Sequence, residues 1–184
     1  MKRIFTVLLL VIGFGSAASD FENGLRAYSN GDYKSAAESF AAAGAQGDGN
    51  AWYYLGMMSK NGIGVPFDYP AALKAFRIGV QHGSAAAQYE LGRHYQRANE
   101  LTKAMTLFEA SAEQGYAEAQ HALGLMYLSG EGVRKNYSTA ARWIQSAAEQ
   151  GVPVAQFHIG KLMLDGKAQA SQLRHSTGKL NDCI

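Results

Sequence analysis

The chain has 184 residues with 17 basic and 15 acidic side chains, a formal net charge of +2. That near balance, with no basic run, excludes a nucleic-acid-binding surface as the organising feature. The one cysteine, Cys183, cannot form an internal disulfide, so stability has to come from packing.

At the N-terminus, Met1-Lys2-Arg3 precedes an apolar stretch from Ile4 to Phe14, and Ser16-Ala17-Ala18 supplies small residues before Ser19-Asp20. This order predicts a signal peptide over residues 1–18, cleaved after Ala18, and a periplasmic or extracellular address. The apolar stretch is short for a membrane span, so no membrane insertion is expected after cleavage. No cysteine stands at the cleavage point, which argues against a lipoprotein. Without residues 1–18 the chain carries 15 basic and 15 acidic side chains.

From residue 21 onward one pattern recurs. Leu55-Gly56, Leu91-Gly92, Leu123-Gly124 and Ile159-Gly160 follow one another at steps of 36, 32 and 36 residues, and Gly47, Gly83, Gly115 and Gly151 keep the same period. Self-similarity at this period predicts a solenoid whose units bury their apolar faces against one another. In residues 118–151, Ala119, Ala122, Leu123, Met126 and Tyr127 give one helical stripe, and Ala140, Trp143, Ile144, Ala147 and Ala148 a second. The glycines of Ser129-Gly130-Glu131-Gly132-Val133 reverse the chain between them. Gly124 is predicted to lie within a helix, where glycine costs about 1 kcal/mol against alanine, so its recurrence implies a close helix approach.

Residues 50–83 repeat this arrangement with Asn61-Gly62-Ile63-Gly64-Val65 as the loop and Pro70 in the first turn of the second helix. Residues 86–115 are four shorter and lack the glycine loop. Shifted back by 68, their Gly92, Ala104, Phe108 and Gly115 fall on Gly24, Ala36, Phe40 and Gly47, which defines a first short unit at 21–47 with Asn30-Gly31-Asp32 as its turn. A partial fifth unit begins at 154–166. The predicted solenoid spans 19–166, an all-α, α/α superhelical solenoid of antiparallel helix pairs. Residues 167–184 contain few apolar positions and read as a polar, disordered tail.

Ala119, Leu123-Gly124, Tyr127, Gly130-Glu131-Gly132-Val133, Ala140-Ala141, Trp143 and Ala147-Ala148-Glu149-Gln150-Gly151 together resemble the Sel-1-like repeat, a relative of the tetratricopeptide repeat. The two short units look closer to tetratricopeptide repeats. The resemblance implies a superhelix that scaffolds protein or peptide partners, often at bacterial envelopes or host interfaces. It further implies that the first helix of each pair lines the concave side, which selects Tyr53, Met57, Tyr89, Arg93, His121, Leu125, Phe157 and Lys161, with Lys60 and Arg97 extending the stripe. Aromatic, methionine and arginine side chains are those that partner surfaces favour.

An alternative from the same resemblance is a cell-wall or β-lactam-binding enzyme, since some secreted members are linked to penicillin-type ligands. Those members are rich in paired cysteines, and this chain has Cys183 alone. A virulence factor acting on host proteins differs from the adaptor only in its partner. His82, His94, His121, His158 and His175 show no i, i+4 pair on one helix, so no metal site is expected. No G-x-S-x-G element, phosphate loop or dinucleotide fingerprint occurs, so no catalytic residue and no cofactor is expected. The spacing specifies neither the partner nor an oligomeric state.

Overall fold

A computed structural model of the chain describes residues 17–167. The expected signal segment lies outside them except for Ala17 and Ala18, which open the first helix, and the expected tail lies outside them except for Lys167. His175 and Cys183 are likewise outside. Among the described residues there are nine α-helices and no strand: α1 (Ala17–Ser29), α2 (Tyr33–Ala45), α3 (Gly49–Asn61), α4 (Tyr69–Gln81), α5 (Ala85–Arg97), α6 (Leu101–Glu113), α7 (Ala117–Ser129), α8 (Tyr137–Glu149) and α9 (Pro153–Leu164). None of them is long and apolar enough to cross a membrane.

Helix starts follow local chemistry. The side chains of Asp32, Asp48, Asp68, Ser84 and Asn136 accept hydrogen bonds from backbone N–H groups of the first turns of α2, α3, α4, α5 and α8. Each such cap satisfies a donor that the helix itself leaves free. The helices then pack in order, α1 on α2, α3 on α4, α5 on α6 and α7 on α8, with each pair resting on the next and α9 resting on α8.

Within each pair the repeat glycine is a point of close approach. A Cβ at Gly24 would stand 2.6 Å from the Phe40 ring, at Gly56 2.4 Å from Phe76, at Gly92 2.8 Å from Phe108, and at Gly124 2.5 Å from Ile144. Phe40, Phe76, Phe108 and Ile144 are at most 1% exposed. Hydrogen covers each knob where any side chain would collide with it. Burying such a residue stabilises by about 1.5–3 kcal/mol, more than the helix propensity that the glycine gives up. Among the described residues every buried side-chain nitrogen or oxygen has a hydrogen-bond partner. Ser111 Oγ, for example, donates to the Ala85 carbonyl at 2.7 Å, tying α6 to α5.

The alternation of short and long units has a steric cause. The second glycine of each long loop lies on the first turn of the second helix in the preceding short unit. A Cβ at Gly64 would stand 2.4 Å from Tyr33 Cβ, and one at Gly132 2.8 Å from Leu101 Cβ. Their φ angles, +70° and +71°, are also in the left-handed region. Space and backbone conformation both require glycine there. A short turn in one unit leaves that helix start open for the long loop of the next. In the third unit's short turn, Asn99 takes φ +59° at the position that Gly31 fills in the first.

Candidate partner-binding face

Three residues before each repeat glycine stand Tyr53, Tyr89, His121 and Phe157; one residue after it stand Met57, Arg93, Leu125 and Lys161. Positions separated by four share one side of a helix, so these eight residues form one stripe across α3, α5, α7 and α9. The first helices also reach one another directly. Lys60 Nζ on α3 lies 2.6 Å from Glu90 Oε2 on α5, and His121 Nε2 on α7 lies 2.8 Å from His158 Nδ1 on α9. Elements on the inside of a curved stack are the ones that meet in this way.

The stripe divides by burial. Met57 packs against the core cluster of Ala72, Phe76 and Leu91, and Leu125 against the cluster that contains Ile144 and Ile159. Lys60 is committed to Glu90, with side-chain exposures of 20% and 8%. Removing one partner of a pair this enclosed strands the other charge, so the pair acts as a staple between α3 and α5. Arg93, Arg97, Phe157 and Lys161 are exposed, while Tyr53, Tyr89 and His121 are half-buried.

The centre of the face is aromatic. The Tyr89 ring lies 5.8 Å from Phe108 and 5.4 Å from Tyr116, a residue that sequence reasoning missed because it stands before α7 rather than on the stripe. Burial raises the hydroxyl pKa of Tyr53, Tyr89 and Tyr116 above the ordinary value, so all three remain hydrogen-bond donors at neutral pH. The Arg93 guanidinium stands 5.8 Å from the Tyr89 ring centroid, within cation–π range. Next to it, Arg97 Nη2 donates to the Tyr69 hydroxyl at 3.3 Å, and that hydroxyl lies 3.1 Å from His94 Nδ1. Tyr69 and His94 were also outside the predicted stripe. The face therefore offers an aromatic floor, phenolic donors and an arginine rim.

His121 and His158 are 37 residues apart, and their rings stack at 5.0 Å. No single-helix spacing could have signalled the pair. Beside it opens a cleft of about 330 Å³ whose lining includes Lys135, Tyr137, His158, Lys161 and Lys167. Among the described residues no group of three His, Cys, Asp or Glu side chains could hold a metal ion. Burial, and then the neighbouring His158, holds the His121 imidazole below its ordinary value of 6.5. Around that pH the folded state binds fewer protons than the unfolded chain, so this contribution to stability is full above about 6.5 and is lost as pH falls below it. His94, lowered by burial and then by Arg77 and Arg97, acts in the same direction. Melting temperature is expected to fall between about pH 7.5 and pH 5.5, with His121→Gln flattening part of that fall. An unchanged fall in the variant would assign the effect to other groups.

Residues 50–79, 85–116 and 117–152 match the Sel1 repeat family. The chain belongs to the Sel1 repeat family. The shorter third unit matches along with the two long ones. The chain is 32% identical over 148 residues to an exopolysaccharide production negative regulator of Rhizobium meliloti (strain 1021), covering 69% of this chain and 54% of the relative. A protein of the same description from Rhizobium leguminosarum bv. viciae is 29% identical over 145 residues, with the same two coverages. The chain thus spans about half the length of the curated relatives it matches.

Among solved structures it is similar to a protective antigen present in uropathogenic Escherichia coli strains that displays an SLR fold. The TM-score is 0.75 at 29% identity, over 86% of this chain and 36% of that one. It is also similar to a Sel1 repeat protein from Oxalobacter formigenes, with a TM-score of 0.72 at 27% identity, over 80% of this chain and 62% of that one. The Sel1 repeat solenoid is generally a scaffold for protein interactions.

Proposed function

We propose that this Sel1 repeat chain is an adaptor that binds a protein or peptide partner along its inner face, outside the cytoplasm. The observation that carries this reading is the stripe itself: Tyr53, Tyr89 and Tyr116 form a half-buried aromatic floor with Arg93 and Arg97 exposed at its rim. Rigid aromatics and arginine supply contact area with little ordering cost, which is why binding energy concentrates on such residues. The charged head, apolar stretch and small residues of Met1–Ala18 support the address. The names of the two rhizobial relatives support a regulatory contact, one that restrains the partner rather than transforming it. The reading involves no reaction.

The test is a crosslinking pull-down from envelope extract with the wild-type chain and a Tyr89→Ala/Arg93→Ala variant. A specific protein is expected with the wild type and about tenfold less of it with the variant, corresponding to about 1.4 kcal/mol of lost binding. A partner captured equally by both would overturn the face. Mass analysis of the recovered chain tests the address: loss of residues 1–18 is expected, and a full-length chain in the cytoplasm would overturn it.

A further inference from the structure

Tyr69, the first residue of α4, meets His94 and Arg97 of α5 at the seam between the second and third units. Arg97 Nη2 lies 3.3 Å from the Tyr69 hydroxyl, which lies 3.1 Å from His94 Nδ1. A guanidinium only donates, so the Tyr69 oxygen accepts from Arg97 and its O–H donates to His94 Nδ1. Burial, then Arg77 and Arg97, keep this imidazole neutral at neutral pH, which leaves its own proton on Nε2. Arg77 stands two turns along α4 and leans toward Tyr69, since helical side chains tilt to the N-terminus. The seam is therefore lined with donors: two guanidinium groups and an imidazole N–H.

Among the described residues no carboxylate answers them. The three ion pairs there use Lys60, Lys103 and Lys167, and none uses an arginine. The charged groups around His94 are Arg77 on α4, Arg97 on α5, and Glu100 before α6, which is held by Lys103. Tyr69 and Tyr95 supply the rings against it. Tyr69 and His94 are half-buried while Arg77 and Arg97 are exposed, so the donors open outward from a fixed base.

The repeat supplies a second observation. The seam 68 residues on has Tyr137 for Tyr69, but Gln145, Leu162 and Asp165 for Arg77, His94 and Arg97. The fold keeps the aromatic residue and does without the three donors, so their convergence is not a packing need. A cluster that only donates and carries two positive charges suits an anionic acceptor, and the planar guanidinium fork matches a carboxylate. We infer that a carboxylate of the partner docks at the α4–α5 seam, accepting hydrogen bonds from Arg97, His94 and Arg77. The inference rests on the partner-binding reading and names what the partner brings, an acidic segment.

Calorimetric titration of the purified full chain with acetylated hexaglutamate, at about 0.15 M salt, tests it without the partner. Saturable binding is expected, weakened about tenfold by Arg77→Gln/Arg97→Gln. Arg142→Gln, which removes an exposed arginine of α8, is expected to leave it unchanged. Because all three side chains are exposed, both variants are expected to keep the wild-type helical circular dichroism. A protonated His94 adds charge to the seam, so binding is expected to be about threefold tighter at pH 5.5 than at pH 7.5, with His94→Gln removing that dependence. No binding, equal weakening by Arg142→Gln, or binding of inorganic phosphate with none of the peptide would overturn the carboxylate site. A failed titration beside a captured pull-down partner would sink the seam and leave the adaptor. Peptide binding with no captured partner would sink the adaptor and leave a carboxylate site.

Discussion

Phe108→Ala is expected to lower unfolding free energy by about 3–5 kcal/mol. Phe108 is 0% exposed, and its ring fills the notch over Gly92. It shares a core cluster with Ala104, Ala112, Ala119, Leu123 and Met126, so it joins the third unit to the fourth as well as α6 to α5. Nothing next to Gly92 can collapse into the space, because the helix backbones are held apart by their remaining contacts. In a solenoid, stability is approximately a sum of units and nearest-neighbour interfaces. Losing this residue therefore weakens one unit and one interface together. The total available to a domain of this size is about 5–15 kcal/mol, so the deficit is a large share of it. Urea unfolding followed by circular dichroism is expected to change from one transition to two, the third unit no longer coupling the halves. A single transition displaced by less than about 1 kcal/mol would refute the coupling.

Gly124→Ala is expected to cost about 1–3 kcal/mol although alanine is the better helix former by about 1 kcal/mol. The added methyl would stand 2.5 Å from Ile144 Cγ1 and 3.1 Å from the Ala140 carbonyl oxygen, and Ile144 is fully buried. Neither neighbour can give way, since one is next to its own backbone and the other is backbone. At Gly160 no described residue stands within 4 Å of an added methyl, so the same substitution is expected to gain up to about 1 kcal/mol of helix propensity. Opposite signs for one substitution at equivalent repeat positions are the expected result, read as thermal unfolding of the two variants at low protein concentration. Equal signs would mean that the notch is not what the glycine serves.

Much of this architecture was legible in one dimension. The recurrence of Leu-Gly placed the first helices, and the Gly83 series placed the ends of the second ones. Gly124 was readable as a close approach because a helix-interior glycine that recurs needs a packing reason. What covers it was also within reach, since Ile144 and Phe76 each lie 20 residues after their glycines and Phe108 and Phe40 each lie 16 after theirs. The second glycine of each long loop was readable as a turn residue. Its contact with Tyr33 or Leu101 was not, because that partner belongs to the previous unit.

The candidate face was legible in part. The stripe positions followed from the family resemblance, but their roles did not. Lys60, expected to extend the stripe, is held by Glu90. Met57 and Leu125 looked like contact residues and are packed between units. Tyr116, Tyr69 and His158 join the face or its edge from positions that no stripe on α3, α5 or α7 contains.

The sequence by itself determined the helix pairs and their alternation, because both are written in the spacing of the repeat. Only the tertiary structure decided which side chains meet across units: Lys60 with Glu90, Tyr89 with Tyr116, His121 with His158. Those meetings depend on how far each unit rotates on the one before it. That rotation is set by the summed packing of every interface residue, and no spacing along the chain records it.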